Sequence, residues 1–137
     1  VSGAKEVTVW GSGKVLREFI HVDDLASATV FVMGLDFSSL YELGITQLNV
    51  GTGEEISIKE LAELISGIVG FSGDLVFDQS MPDGTPRKLV DVSRINQLGW
   101  KHKIELKDGL DMAYVPFLEN WANRNVTEDT VFGRQAI

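Results

Sequence analysis

The sequence predicts an α/β fold with short strands. Segments with the alternating, β-branched pattern of strands are interspersed with segments in which apolar residues recur every three or four positions, as on one face of a helix. Alternation of the two kinds of segment is typical of a sheet covered by helices. Only three short strands are visible, and the first two are linked by a helix that needs a sheet to pack on. We therefore expect an incomplete sheet.

Strand-like patterns occur at three places. Residues 6–10 (EVTVW) alternate and end at the glycine turn 11–13 (GSG), and residues 47–50 (QLNV) stop at a second glycine pair. Residues 74–78 (DLVFD) lead into a loop rich in proline and glycine (SMPDGTPRK). The segment REFIHV after the first turn is predicted to be extended.

The strongest helix prediction starts at Ser57. Ser57 and Glu60 have the spacing of a capping box, apolar residues then recur on one face, and Gly70 stands where a C-cap glycine belongs. An earlier helix is predicted from Asp23 or Asp24, because aspartate accepts hydrogen bonds from the free amides of a first helical turn. The segment SSLYELGI is predicted to be an irregular connection.

Two further helices are predicted towards the C-terminus. A short one should be capped by Asp91 or Ser93, and a longer one should run from about residue 105 to residue 121. Pro116 should kink or split the longer helix, because proline lacks an amide hydrogen and clashes with the preceding turn. The buried side of this helix is predicted to comprise Leu106, Leu110, Ala113, Tyr114, Phe117 and Trp121.

The composition is that of a globular domain, and it limits the partners. A chain of 137 residues that is 44% hydrophobic and 23% charged can bury a core. We predict one unit over residues 1–121 and a polar, frayed tail over residues 122–137. Twenty acidic residues against twelve basic ones give a net charge of −8, which argues against nucleic-acid binding. Any phosphate-bearing ligand must therefore be held by a few cations.

Missing residue types narrow the chemistry further. Without cysteine there are no disulfides, thiol nucleophiles or thiolate metal sites. Two histidines, His21 and His102, are too few to predict a metal site. No apolar run reaches the roughly 18 residues of a membrane span and no secretory signal is visible, so we predict a cytoplasmic protein without a membrane partner. The chain opens at Val1 rather than methionine, which indicates a piece of a longer protein.

The glycine turn of VWGSGK does not fit the strict phosphate-binding patterns. A Walker loop needs serine or threonine after its Gly-Lys pair, and here Val15 follows Lys14. A dinucleotide fingerprint needs a third glycine where Leu16 stands. Two glycines around a serine most often make a plain turn.

Several motifs together have the pattern of a known family. They are VWGSG (9–13), REFIHVDDLA (17–26), NVGTG (49–53), PDGTPRKL (82–89), DVSR (91–94) and LGW (98–100). With them the chain resembles the C-terminal part of the GDP-L-fucose synthases, which are extended short-chain dehydrogenase/reductases. The resemblance implies the substrate-binding C-terminal portion of that α/β fold, with an incomplete Rossmann fold. PDGTPRKL is the motif most particular to the fucose synthases.

The resemblance implies an NADPH-dependent enzyme that epimerises and then reduces GDP-4-keto-6-deoxy-mannose to GDP-L-fucose. In such enzymes a Ser, a Tyr-x-x-x-Lys pair and further Cys and His residues carry the chemistry, and an N-terminal Rossmann domain binds the cofactor. Neither Tyr41 nor Tyr114 has a lysine four residues later, and the cofactor-binding glycines are missing. We therefore predict no catalytic residue and no cofactor in this chain.

The part of the function left to this chain is substrate binding. The resemblance implies that Trp10 lines a nucleotide-sugar pocket and that Arg17 and Lys88 contact the diphosphate, with Arg87 beside them. The glycine turn would position Trp10 and Arg17. Simpler alternatives are a core position for Trp10, a surface ion pair of Arg17 with Glu18, and a solvated Lys88.

Three residues near this site receive other interpretations. His21 is predicted to fix the start of the first helix rather than to act as an acid or base. Asp83 is predicted to form a turn with Gly84. Asp74 departs from the family pattern, in which a basic residue often precedes this strand.

Two other functions remain open. One alternative is the same portion of another nucleotide-sugar epimerase or dehydratase, and the other is a stand-alone scaffold or interaction module without a ligand. The resemblance implies that the first helix packs on the Rossmann sheet, so without the N-terminal domain it would expose Leu25, Val30 and Met33. Because exposed apolar faces and unpaired strand edges favour association, we predict a homodimer that forms through this helix.

Overall fold

The computed structural model of the chain describes residues 3–42 and 44–123. Within these ranges short strands alternate with helices, which confirms the predicted α/β class. The elements are β1 (Glu6–Trp10), β2 (Leu16–Arg17), α1 (Val22–Met33), α2 (Phe37–Glu42), β3 (Ile56–Ser57), α3 (Ile58–Val69), β4 (Asp74–Asp78), β5 (Arg87–Lys88), α4 (Ser93–Gln97) and α5 (Leu106–Asn123).

The strands form two small sheets. β1 and β4 pair in parallel along their whole length, with Glu6 opposite Asp74 and Trp10 opposite Asp78. The two-residue strands form a second sheet in the order β3-β2-β5, in which β2 is antiparallel to β3 and parallel to β5. The strands predicted over residues 6–10 and 74–78 are thus confirmed. Of the extended segment REFIHV, only Arg17 belongs to a strand.

Residues 47–50, predicted to be a strand, have no regular secondary structure. A strand requires backbone pairing, and the described part of the chain places no neighbouring strand beside this segment. It is attached instead through a side chain, because Nδ2 of Asn49 donates to the carbonyl oxygen of Asp91 at 3.1 Å. The predicted strand is therefore wrong for the described fold.

α1 begins one residue before the predicted aspartate cap. Its N-cap is His21, whose Nδ1 accepts a hydrogen bond from the amide of Asp23 at 3.2 Å. This confirms the structural role predicted for His21 and corrects the assignment of the cap to Asp23 or Asp24. Both aspartates lie in the first helical turn, where negative charge favours the helix dipole.

A short helix, α2, replaces the predicted irregular connection. Local turn chemistry explains it: the amide of Ser38 donates to Oδ1 of Asp36 at 3.1 Å near the start of the helix. Beyond the helix, Gly44 adopts a φ of 68° and the amide of Ile45 donates to the carbonyl oxygen of Leu40 at 2.9 Å. Leu40 is buried, and this apolar anchor outweighs the weak helix propensity of the serines.

α3 has both predicted ends. The hydroxyl of Ser57 accepts from the amide of Glu60 at 3.1 Å, and the Glu60 carboxylate accepts from the amide of Ser57 at 3.0 Å. Gly70 closes the helix in the left-handed conformation with a φ of 68°. Both signals lie within a few residues of the helix ends, which is why the sequence predicts them.

The small core lies between α1, α4 and the segment before α5. Ala28, Ile95 and Trp100 are buried there, and the indole Nε1 of Trp100 donates to the hydroxyl of Ser27 at 2.9 Å. The N-cap of α4 is Val92 rather than the predicted Asp91 or Ser93, while the Asp91 carboxylate accepts from the amide of Ser93 at 2.9 Å just before the helix.

α5 runs unbroken across Pro116, so the predicted split of this helix is wrong. The hydrogen bond that proline cannot make would go to the carbonyl of Met112, an exposed residue, where water can replace it. The predicted buried side is only partly covered. Tyr114, Phe117 and Trp121 stack in series, yet Phe117 and Trp121 are about half exposed.

Residues 124–137 of the predicted tail lie outside the described residues. Among the helices that the structure describes, none combines the length and the apolar character needed to cross a bilayer.

Candidate functional site

The second sheet brings together cations that are far apart in the chain. Arg17 of β2 pairs in register with Lys88 of β5, and Leu16 pairs with Arg87. Residues opposite each other on neighbouring strands point to the same face and lie about 5 Å apart. Arg17 and Lys88 therefore start from the same face of the sheet, whereas Arg87 starts from the other face.

Arg17 is half-buried and has no anionic partner within the described ranges. Its Nη1 donates to the carbonyl oxygen of Leu16 at 2.6 Å, and its Nη2 faces Gly84, where an added Cβ would lie 3.8 Å away. The alternative ion pair with Glu18 is not formed. A partly desolvated guanidinium without a carboxylate is suited to an anionic ligand.

Arg87 is already neutralised. Its Nε lies 2.7 and 2.8 Å from the two carboxylate oxygens of Glu55, and its Nη2 lies 2.6 Å from one of them. The hydrogen bond with Arg87 and the charge of Arg87 hold the pKa of Glu55 below its ordinary value, and the hydrogen bond with Glu55 and the charge of Glu55 raise the pKa of Arg87. Of the cations in this sheet, Arg17 and Lys88 are the ones that no described carboxylate pairs with.

Two neighbouring cavities flank this sheet. One, of about 320 Å³, is lined by Arg17 together with four glutamates and a histidine: Glu54, Glu55, Glu60, Glu105 and His102. The other is an open groove along β5 and the residues after it, lined by Arg87 and Lys88. The first cavity is acidic apart from Arg17, whereas the groove contains both Arg87 and Lys88.

The glycine turn is held by Asp83, which occupies the amide and the hydroxyl of Ser12. The Asp83 carboxylate accepts from the amide of Ser12 at 2.5 Å and from its hydroxyl at 2.7 Å. These hydrogen bonds lower the pKa of Asp83 from its ordinary value. Asp83 thus connects the turn after β1 to the loop before β5, a larger role than the local turn with Gly84 that the sequence predicts.

Glu18 connects three segments around the site. Its Oε1 accepts from the amides of Thr52 and Gly53, each at 2.7 Å, and its Oε2 accepts from the amide of Val90 at 3.1 Å. The approach is so close that a Cβ added at Gly51 would collide with Oε1. The sequence offered only the ion pair with Arg17 as a role for Glu18, since these partners lie far along the chain.

Trp10 stands apart from the cations. It is the last residue of β1 and 72% exposed, so it is not a core aromatic. It does not line the cavity that contains Arg17 or the groove that contains Lys88. Trp10 directly precedes the glycine turn, which Asp83 connects to the loop before β5.

Asp24 is a buried residue whose contacts are not predictable from the sequence, because its partners lie about 80 residues away. It is 3% exposed, and its Oδ2 accepts from the amides of Lys103 at 3.0 Å and Ile104 at 2.9 Å. These two bonds satisfy the buried carboxylate and fix the chain entering α5 against α1.

Comparison with known proteins defines the class. The model of the NAD dependent epimerase/dehydratase family matches residues 1–44. The crystal structure of a GDP-6-OMe-4-keto-L-xylo-heptose reductase from Campylobacter jejuni superposes with a TM-score of 0.78 at 50% identity, over 85% of this chain and 34% of that one. The fold is therefore a fragment of the Rossmann-like fold of the extended short-chain dehydrogenase/reductases, as the resemblance implies.

Two curated relatives have GDP-L-fucose synthase in their names. The chain is 54% identical to probable GDP-L-fucose synthase 1 of Oryza sativa subsp. japonica, over 87% of this chain and 34% of the relative. It is 52% identical to GDP-L-fucose synthase of Escherichia coli K12, over 85% and 37% respectively. GDP-L-fucose synthases are thus homologues of this chain, which spans about a third of their length.

Proposed function

We propose that the chain forms the GDP-sugar-binding part of an NADPH-dependent epimerase/reductase similar to GDP-L-fucose synthase. The observation that carries this proposal is the pair Arg17 and Lys88, two cations in register that no described carboxylate neutralises, in a protein of net charge −8. A diphosphate offers several charged oxygens, which can accept from both side chains at once. The likeness to proteins named GDP-L-fucose synthase supports guanosine as the nucleoside.

The diphosphate is assigned to the groove of Lys88, with Arg17 reaching it from the edge. Arg87 contributes through Glu55 by holding β5 against the turn before β3, so we assign it a positioning role. Asp83 and Glu18 fix the loops on either side, which keeps the two cations in place before the ligand arrives. Trp10 is proposed to extend the site towards the nucleotide sugar from the end of β1.

A titration with GDP and UDP tests the nucleotide. Isothermal calorimetry on the chain should give one saturable GDP site, and UDP should bind at least about 10-fold more weakly. Equal affinities would support the portion of another nucleotide-sugar epimerase or dehydratase. Preference for GDP agrees equally with the heptose reductase that is 50% identical, because its name also contains a GDP-sugar. No binding of either nucleotide would support the ligand-free scaffold.

We infer that epimerisation and hydride transfer need groups that this chain does not contain. The sequence has no Tyr-x-x-x-Lys pair at Tyr41 or Tyr114 and no cysteine. The chain alone should therefore show no oxidation of NADPH dependent on GDP-4-keto-6-deoxy-mannose, as measured by the absorbance of NADPH. Measurable turnover would show that the chemistry resides here.

We further propose that the chain forms a homodimer through α1. Its apolar residues Leu25, Val30 and Met33 are 45%, 71% and 74% exposed, and β1 pairs on one side only within the described residues. Both features favour association, while the net charge of −8 opposes indiscriminate aggregation.

We also propose a cytoplasmic location, where the reduced NADPH required by the proposed activity is available. Fractionation of the source cells should recover the protein with the soluble enzymes, and recovery with membranes would contradict this location.

A further inference from the structure

Three possible metal ligands meet in the acidic cavity beside Arg17. They are Glu54, His102 and Glu105, each of which offers one ligand atom, and these atoms all lie within 4.8 Å of one another. Nε2 of His102 is 4.0 Å from a carboxylate oxygen of Glu105. Ligand atoms that bind one divalent ion at about 2.1 Å lie roughly 3–4 Å from one another. Small rotations of the exposed carboxylates would bring the three ligand atoms to that separation.

The backbone on both sides of this cluster is fixed. The amides of residues 103 and 104, between His102 and Glu105, are held by the buried carboxylate of Asp24 at 3.0 and 2.9 Å. The amide of Gly53, next to Glu54, is held by Oε1 of Glu18 at 2.7 Å. Because both segments are anchored by carboxylates of their own, only side-chain freedom is lost when the three ligands close around an ion.

The charges of the cluster favour a cation. The Glu54 carboxylate has no hydrogen-bond or ion-pair partner in the described part of the chain, and Glu105 has only His102. The same cavity contains four glutamates against one arginine. Two carboxylates at this separation repel each other, and a divalent ion would relieve that repulsion.

We propose that Glu54, His102 and Glu105 bind one Zn²⁺ ion or a similar first-row divalent metal. The imidazole ligand favours such metals over Mg²⁺ and Ca²⁺, which prefer oxygen alone. Three protein ligands leave at least one coordination position to water. The ion would connect the turn after Gly53 to the start of α5. The ligands are residues other than Arg17 and Lys88, so the proposal does not rest on the GDP-sugar function. The sequence misses the site because carboxylates complete a set that contains only one histidine.

NMR of the full chain during a Zn²⁺ titration tests the proposal, since the two histidines provide an internal comparison. The imidazole signals of His102 should shift with one equivalent of Zn²⁺, while those of His21, whose Nδ1 caps α1, should not. Mg²⁺ should leave both unchanged. If the signals of His102 respond to pH but not to Zn²⁺, His102 forms only an ion pair with a carboxylate. That result would contradict the metal site.

Calorimetry with variants identifies the ligands. Glu54→Gln and Glu105→Gln should each weaken Zn²⁺ binding by about 10- to 100-fold or more, because each removes a charged ligand. Both glutamates are exposed, so the variants should fold. Glu63→Gln is the matched control: Glu63 is an exposed acid that pairs with Lys59 outside the cavity. An equal loss in Glu63→Gln, or no loss in the two ligand variants, would contradict the site.

Discussion

Individual carboxylate side chains connect the separate segments of the chain that surround the site. Glu18 is the clearest case, because one side chain satisfies three backbone amides from two distant segments. In Glu18→Gln the neutral amide has one acceptor oxygen instead of two, and its NH₂ group would face another donor. We expect a loss of about 1–3 kcal/mol in the free energy of unfolding.

Urea unfolding measures this loss, with Glu63→Gln as the control. Glu63 makes an exposed pair with Lys59 at 3.8 Å, so its substitution should change stability by less than about 0.5 kcal/mol. Equal stability of the two variants would remove the structural role assigned to Glu18.

Asp83 gives the protein a predictable response to acid. Its bonds to Ser12 hold the pKa of Asp83 below the ordinary value of 3.8. Because the pKa of Asp83 is lower in the folded protein than in the unfolded chain, its carboxylate stabilises the fold fully at a pH above the unfolded-state pKa. This stabilisation is lost as the pH falls through the folded-state pKa. The wild type should therefore have a higher Tm than Asp83→Asn at neutral pH, and the difference should shrink below pH 3.8.

Thermal unfolding of both proteins from about pH 7 down to the acid range checks this prediction. A Tm difference that does not vary with pH would mean that the charge of Asp83 is not what stabilises the turn.

The sequence predicts the cations of the site better than their surroundings. Arg17 and Lys88 stand in motifs, so a resemblance finds them, and the pairing of β2 with β5 brings them together. The partner of Arg87 is Glu55, and the partner of Ser12 is Asp83. Such contacts join segments that are distant in the chain, and no local periodicity encodes them.

Among the helices and strands, too, local features are predictable from the sequence and contacts between distant segments are not. α3 is predicted at both ends because its capping box and Gly70 act within a few residues. Residues 47–50 have a strand-like pattern but no partner strand within the described fold, and pairing is a tertiary property. Pro116 is tolerated because its helix is exposed at that turn, which the sequence does not reveal.

Two glycines of α3 and its cap form a matched pair for substitution. Gly67 lies inside the helix and Gly70 at its left-handed end with a φ of 68°, and a Cβ added at either meets no other atom within 4 Å. Gly67→Ala should therefore stabilise the protein by about 1 kcal/mol through helix propensity. Gly70→Ala should destabilise it by about 1–2 kcal/mol, because alanine is strained in the left-handed region.

Chemical denaturation of the two variants compares them directly. If both substitutions changed the free energy of unfolding in the same direction, the backbone conformation of the two glycines would not be what determines the effect.

At the scale of the whole molecule, much apolar surface is exposed for a chain of this size. α1 alone presents Leu25, Val30 and Met33, while the buried core contains few large side chains. If α1 forms the dimer interface, Val30→Glu places a charge in it and should shift the chain from dimer to monomer. Ser72→Glu adds the same charge on an exposed loop and should leave the assembly unchanged.

Light scattering at micromolar concentration separates these outcomes. A wild-type chain that is already a monomer near its mass of 15.1 kDa would contradict the proposed dimer.

The affinity for GDP shows whether the unpaired cations Arg17 and Lys88 hold a diphosphate. Calorimetric titration should show that Arg17→Ala weakens GDP binding by about 10- to 100-fold, as expected for the loss of a charge-assisted contact. Lys107→Ala should bind as the wild type does, since Lys107 is exposed on α5 and pairs with Asp111 at 2.6 Å. Unchanged affinity in Arg17→Ala, or an equal loss in Lys107→Ala, would contradict the account.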